Sequence, residues 1–216
     1  MLDDKMKDPS SRQEKSGSVQ RKNTEDVSKS TVKSVMTYLH DFACLSAAVF
    51  FVFLLFFRVV IVSGPSMYDT LVDGDYLLLL SSTIYGQPKQ GDIIVASKDS
   101  FNDGEPIIKR VIATEGQTVD IDFVAGVVYV NGEALDEPYT YTPTNLDENV
   151  KFPLTVNEGC VFVMGDNRNR SKDSRDPEIG QIDCREILGK AIFLFYPGTD
   201  EGRLPRQFSR IGSLLY

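Results

Sequence analysis

A chain of 216 residues, 42% apolar and 25% charged, holds one ordinary domain and an appendage; it is neither wholly disordered nor polytopic. Its formal net charge of -8 excludes a general nucleic-acid binder, which needs a surplus of Lys and Arg facing the phosphates. With a single histidine, His40, a Ser-His-Asp triad, a Cys-His pair or a two-histidine zinc site is excluded unless that residue stands in the site.

From Met1 to Thr37 the chain is rich in Ser, Lys and Asp and almost free of large apolar residues. It buries too little to offset its ordering entropy, so 1–37 is predicted to be a disordered tail. Phe42 to Phe57 follow without a charge, with five Phe in the last eight positions. About 20 helical residues cross a hydrocarbon core about 30 Å thick, so 38–58 predicts one transmembrane helix. Tyr38, His40, Asp41 and Arg58 take its interfacial positions. A cleaved signal peptide would have a short charged lead and a small-x-small site; the long tail and the lack of such a site predict an uncleaved anchor. Eight Lys and Arg precede the span, and none occurs between Arg58 and Lys89. That asymmetry predicts a single pass through the cell membrane, the N-terminus cytoplasmic and 59–216 extracytoplasmic. His40 then lies a bilayer away from the main domain.

Residues 59–216 read as mainly β. Leu77 to Leu80, Asp92 to Val95, Ile107 to Ala113, Val161 to Met164 and Ala191 to Tyr196 are strand-like runs bounded by Gly, Pro and Asp. Val127 to Val130 leads into Asn131-Gly132, the signature of a type I′ hairpin turn. Short strands without long amphipathic helices between them predict an antiparallel sheet or barrel. Cys44 falls in the span. Cys160 and Cys184 lie on the oxidising side, where a bridge and two free thiols both remain open.

Without an available histidine, a nucleophile needs another base, and lysine serves when burial disfavours its charged form. Lys109 is the one lysine of this domain inside an apolar run, Pro106 to Ile112. Strand alternation puts it on one face with Ile107 and Val111, while Arg110 turns away. An edge-strand lysine whose head reaches water would look the same. Gly64 and Pro65 force a turn that exposes Ser66, as they would for an ordinary turn serine. The polar stretch Gly165 to Arg175 reads as a solvated loop; its four basic residues and its spacing oppose calcium.

Together these segments resemble the bacterial type I signal peptidase (leader peptidase) family of the single-span kind, serine proteases with a Ser/Lys dyad. Ser66-Met67-x-x-Thr70-Leu71 is similar to the family's Ser-Met-x-Pro-Thr-Leu, and Gly91-Asp92-Ile93-Ile94-Val95 to its Gly-Asp strand. Lys109-Arg110-Val111-Ile112 matches its Lys-Arg box. Gly165-Asp166-Asn167-Arg168, then Ser171-x-Asp173-Ser174-Arg175 and Gly180, match its last box. The four occur in order between Arg58 and Pro197. By that resemblance Ser66 is the nucleophile and Lys109 its base. Ser171 orients the amine, and Arg110, Asp166, Asp173 and Arg175 form an ionic frame. Met67 and Gly64 belong to the substrate-binding part, and no metal or cofactor is implied. The implied function is removal of signal peptides with small residues before the cut from secretory preproteins at the lipid bilayer. Two departures stand out. Asp69 replaces the usual Pro, and Gly64 stands where some relatives offer a Ser hydroxyl, leaving the Ser66 backbone N–H to hold the oxyanion. The competing expectation is a catalytically weak or silent relative that assists pilin assembly. Asp69 speaks for it, and the retention of Ser66, Lys109 and Ser171 against it.

Overall fold

Residues 10–199 and 205–214 are described by a computed structural model of the chain. Helix α1, Ser10–Phe56, includes the apolar run, and its stretch Thr31–Phe56 is long and apolar enough to cross a membrane. Of the tail expected to be disordered, 1–9 lies outside the described residues, whereas from Ser10 onward the chain is helical. Pro9, which would break the backbone ladder, sits just before the helix. The Lys, Arg, Glu and Gln that follow are good helix formers even without a face to bury. The other end also differs from expectation. Arg58, assigned above to the span, lies in a strand, because Phe57-Arg58-Val59-Val60-Ile61 is rich in β-branched residues and meets the leucine strand Tyr76–Ser81.

The remainder is a unit by itself and almost wholly antiparallel sheet. In chain order its strands are β1 Phe57–Ile61, β2 Tyr76–Ser81, β3 Ile93–Ala96, β4 Ile107–Thr114, β5 Thr118–Asp122, β6 Val127–Val130, β7 Glu133–Ala134, β8 Leu154–Thr155, β9 Cys160–Met164, β10 Ile182–Asp183, β11 Ile187–Tyr196 and β12 Gly212–Ser213. A four-residue helix, α2 Ser82–Tyr85, follows β2. The larger sheet runs β1-β2-β11-β3-β4-β9-β10, with β12 on β11; the smaller runs β7-β6-β5-β8. The expected antiparallel β architecture is therefore present, as two sheets. Asn131 and Gly132 both take positive φ between paired Val130 and Glu133, as their sequence predicts.

Burial follows from the pattern. β4 is covered on both faces and reads as a near-continuous apolar run, while β5 and β6 alternate. Leu71, Leu77, Leu79, Ile93 and Val95 pack into one core, and Ile112, Val119, Val128 and Phe162 into another beneath the smaller sheet. β4 contributes to both, and so holds its central residues between two packed layers. Cys160 and Cys184 are free thiols, each partly buried. Their alternatives resolve in favour of the unbridged state.

Candidate active site

The nucleophile candidate is set by local turn chemistry. Gly64 takes φ +85°, a conformation side chains resist, and its N–H donates to Asp73 Oδ1 at 2.8 Å. Tyr68 N–H donates to Pro65 O, and Leu71 N–H to Met67 O, closing a tight turn around Ser66. Met67 and Leu71 are buried beneath it, at 1% and 0% exposure. Ser66 is thereby half-exposed on a base anchored in the core. A second clamp comes from the loop after β9. Asn167 N–H donates to Ser66 O at 3.0 Å, and Asn167 Nδ2 to Pro65 O at 3.1 Å.

Lys109 reaches the same place from β4, where it pairs across with Ile94 of β3. Its Nζ lies 2.9 Å from Ser66 Oγ and 3.1 Å from Ile108 O, and the residue is 5% exposed. Burial pushes its amine down to about 8; Asp173, Glu148 and Asp166 pull the other way, and Arg175 adds to the fall. The geometry serves both protonation states of the amine. A charged amine donates to both oxygens. A neutral amine keeps an N–H for Ile108 O, which can only accept, and turns its lone pair to the Ser66 hydroxyl. The water-exposed lysine considered from sequence is thus excluded: the head group is inside.

Arg110 turns to the opposite face, as alternation requires. Its Nε and Nη2 donate to the two oxygens of Asp166 at 2.8 and 2.7 Å, both residues being fully buried. Nη1 donates to Gly91 O, and the guanidinium lies 3.9 Å over the Tyr139 ring. Asp166 Oδ2 also accepts from Thr70 Oγ1 at 2.6 Å, which ties the Ser66 turn to β4. Arg175 makes the equivalent fork with Asp173 at 2.8 Å on each arm, and Asp173 Oδ2 accepts the Gly165 N–H. The four residues expected as an ionic frame do form one, as two separate buried pairs.

Ser171 departs from expectation. Its Oγ donates to Lys172 O at 3.4 Å and not to Lys109, whose nitrogen is directed at Ser66 and Ile108. The hydroxyl nevertheless lies close to the nucleophile turn. A Cβ at Gly165 would stand 2.3 Å from Ser171 Oγ and 2.5 Å from Ser66 O. Gly165, Thr70 and Asn167 are thus members of the site whose roles the motif alone does not reveal.

A cavity of about 200 Å³ opens beside the pair, between the extended segments Val60 to Ser63 and Glu105 to Ile108. Met67 lines it, as expected. Gly64 does not; it borders a separate hollow with Tyr68, Leu71 and Asp73 on the other side of the turn. The Ser66 N–H has no acceptor among the described residues, which leaves it free to meet a developing oxyanion. Such an arrangement can carry out nucleophilic acyl transfer, with the amine as proton acceptor.

Comparison with known proteins gives the same direction. The family described as signal peptidase, peptidase S26, matches residues 35–196. Signal peptidase I of Bacillus licheniformis is 38% identical over 149 residues, covering 65% of this chain and 77% of that protein. Signal peptidase I T of Bacillus subtilis (strain 168) is 33% identical over 189 residues, covering 82% and 95%. A crystal structure of a signal peptidase I from Enterococcus faecalis V583 is 31% identical, covers 48% of this chain and 96% of its own, and superposes with a TM-score of 0.40.

Proposed function

The chain belongs to the signal peptidase (peptidase S26) family, and we propose that it removes signal peptides from secretory preproteins with Ser66 as nucleophile and Lys109 as general base. The observation that carries the dyad is the buried amine 2.9 Å from the Ser66 hydroxyl. In the first step neutral Lys109 takes the Ser66 proton as Oγ attacks the carbonyl carbon of the scissile bond. The Ser66 N–H stabilises the oxyanion, and the protonated amine returns its proton to the leaving amino group of the mature protein. In the second step Lys109 takes a proton from water as it attacks the ester, then returns that proton to Ser66 Oγ as the ester bond breaks, which frees the signal peptide and restores the neutral amine. No step calls on a metal or a cofactor.

The cavity of about 200 Å³ beside Ser66 offers a seat for side chains before the cut, and their small size is what the family resemblance implies. The apolar helix fits membrane anchoring. The excess of Lys and Arg before it supports a cytoplasmic N-terminus with 57–216 on the far side of the cell membrane. Ser66 follows the last helical residue, Phe56, by ten residues, so it is tethered within about 35 Å of the helix end, where a preprotein's apolar segment also ends. Against a silent assembly role, Ser66 and Lys109 stand within hydrogen-bond distance although Asp69, which is exposed, takes the place of the usual Pro.

The test is cleavage of a preprotein by the detergent-solubilised chain. Ser66→Ala and Lys109→Ala should each lower kcat/KM by about a thousandfold or more, and the double variant should be no slower than either. Cleavage should rise with pH through about 8 as the amine loses its proton. Full activity in either variant, or a rate flat across that range, would overturn the assignment.

A further inference from the structure

Behind the dyad lies a carboxyl group that none of the four motifs contains. Glu148 sits on the irregular segment between β7 and β8, which straps over Arg175: Arg175 Nη1 donates to Leu146 O, and Val150 N–H to Arg175 O. The Glu148 side chain is 11% exposed, and its Oε2, 3.7 Å from Arg175 Nε, is buried without a hydrogen-bond partner. Arg175 reaches it as an ion pair and not as a hydrogen-bond donor. Its Nε and Nη2 are held by Asp173, Nη1 by Leu146 O, and Nη2 also by Arg168 O. One guanidinium therefore faces two buried carboxylates. Arg110 and Asp166 neutralise each other nearby, and Asp176 pairs with Lys172, which leaves Lys109 as the buried amine of this cluster among the described residues.

We propose that Glu148 is a positioning residue that acts through the Asp173–Arg175 pair to set how readily Lys109 gives up its proton. The inference rests on Lys109 being the base. An unshared negative charge behind the frame favours the charged amine, and a proton on Glu148 removes that bias. The groups facing Glu148 are Asp173, Arg175 and Asp176; those facing Lys109 are Asp173, Glu148, Asp166 and Arg175. Burial and then Asp173 push the Glu148 carboxyl up to about 7 against the pull of Arg175, next to the value of about 8 for the amine. The two groups therefore titrate in adjoining windows and oppose each other. Below the carboxyl's value the amine feels no charge from Glu148. Above it the ionised carboxylate holds the proton on Lys109 longer, so activity should climb over a wider pH span than a single group gives.

The test is the pH profile of kcat/KM for preprotein cleavage by the full-length chain, wild type against Glu148→Gln and Glu148→Asp, with thermal melts of each. Glu148→Gln should move the midpoint of the rise to lower pH by about half a unit, as loss of one nearby charge implies. It should steepen the rise to that of one group and increase the rate at the wild-type midpoint by about one and a half times. Glu148→Asp should restore the broad wild-type profile. A rate lowered equally at all pH values, an unmoved midpoint, or failure of both variants to fold would overturn the proposal and leave Glu148 a structural residue. If instead wild-type cleavage does not rise with pH, or Lys109→Ala still cleaves, the dyad reading itself fails. The two failures are thus distinguishable.

Discussion

Three fully buried guanidinium groups, those of Arg110, Arg168 and Arg175, are unusual in so small a domain, and each is held by a carboxylate in a two-armed fork, from Asp166, Glu137 and Asp173. Such pairs matter more for what their loss leaves behind than for their own net contribution. Asp166→Asn should destabilise the chain by about 3–5 kcal/mol, because Arg110 would keep its buried charge without a counterion. Replacing both partners together, Arg110→Met with Asp166→Leu, should cost less than the single change; urea denaturation of the two variants beside the wild type measures the difference. At this scale the sequence is informative only where chemistry is local. Lys109 among aliphatic residues and Ser66 after Gly64-Pro65 stand out, because strand alternation and turn formation act over a few residues. Glu148 does not, since its significance comes from Arg175, distant in sequence and brought close only by tertiary folding. The expected bond from Ser171 to Lys109 also fails at this scale: a motif gives proximity, whereas the direction of a hydroxyl depends on the nearest carbonyl.

Among elements, β4 and the loop after β9 do the positioning, and the loop meets the Ser66 turn at Gly165. Its missing side chain is the space in which Ser66 O and Ser171 Oγ approach. Gly165→Ala should therefore lower stability by about 1–3 kcal/mol, as overpacking does, and lower kcat/KM by more than the lost folded fraction, because backbone on the nucleophile side must move. A melting curve and a cleavage assay on one preparation separate the two effects. The strands central to the large sheet were readable from apolar runs, as was the Asn131-Gly132 turn. The ends were not. Phe57 and Arg58, the first two residues of β1, fall in the expected span because the apolar run continues across them, and only pairing with β2 tells strand from helix there. The two-residue strands β7, β8, β10 and β12 are made by their partners rather than by their own propensity.

For the whole molecule, the dyad's environment predicts how stability depends on pH. The Glu148 carboxyl moves from 4.5 up to about 7, so between those values the folded chain holds more protons than the unfolded one, and stability falls as pH rises. The Lys109 amine moves from 10.5 down to about 8, so between those values the folded chain holds fewer protons, and stability rises with pH. Their joint contribution is a trough between about pH 7 and 8, with each flank worth about 3 kcal/mol at most. Melting temperatures against pH should show it. Glu148→Gln should flatten the acid flank, and Lys109→Met the alkaline one. The antiparallel architecture that holds this cluster was legible from short strands without intervening helices. Its division into two sheets sharing β4 as a wall was not, because a strand covered on both faces reads simply as apolar.

Met67 gives the nucleophile a floor made of a thioether, sealed at 1% exposure. The same side chain lines the cavity beside Ser66, so peroxide that enters there meets a thioether whose oxidation would put a polar sulfoxide into an apolar seat. An oxidant would thus loosen the nucleophile from below without touching the dyad, and reduction of the sulfoxide would restore it.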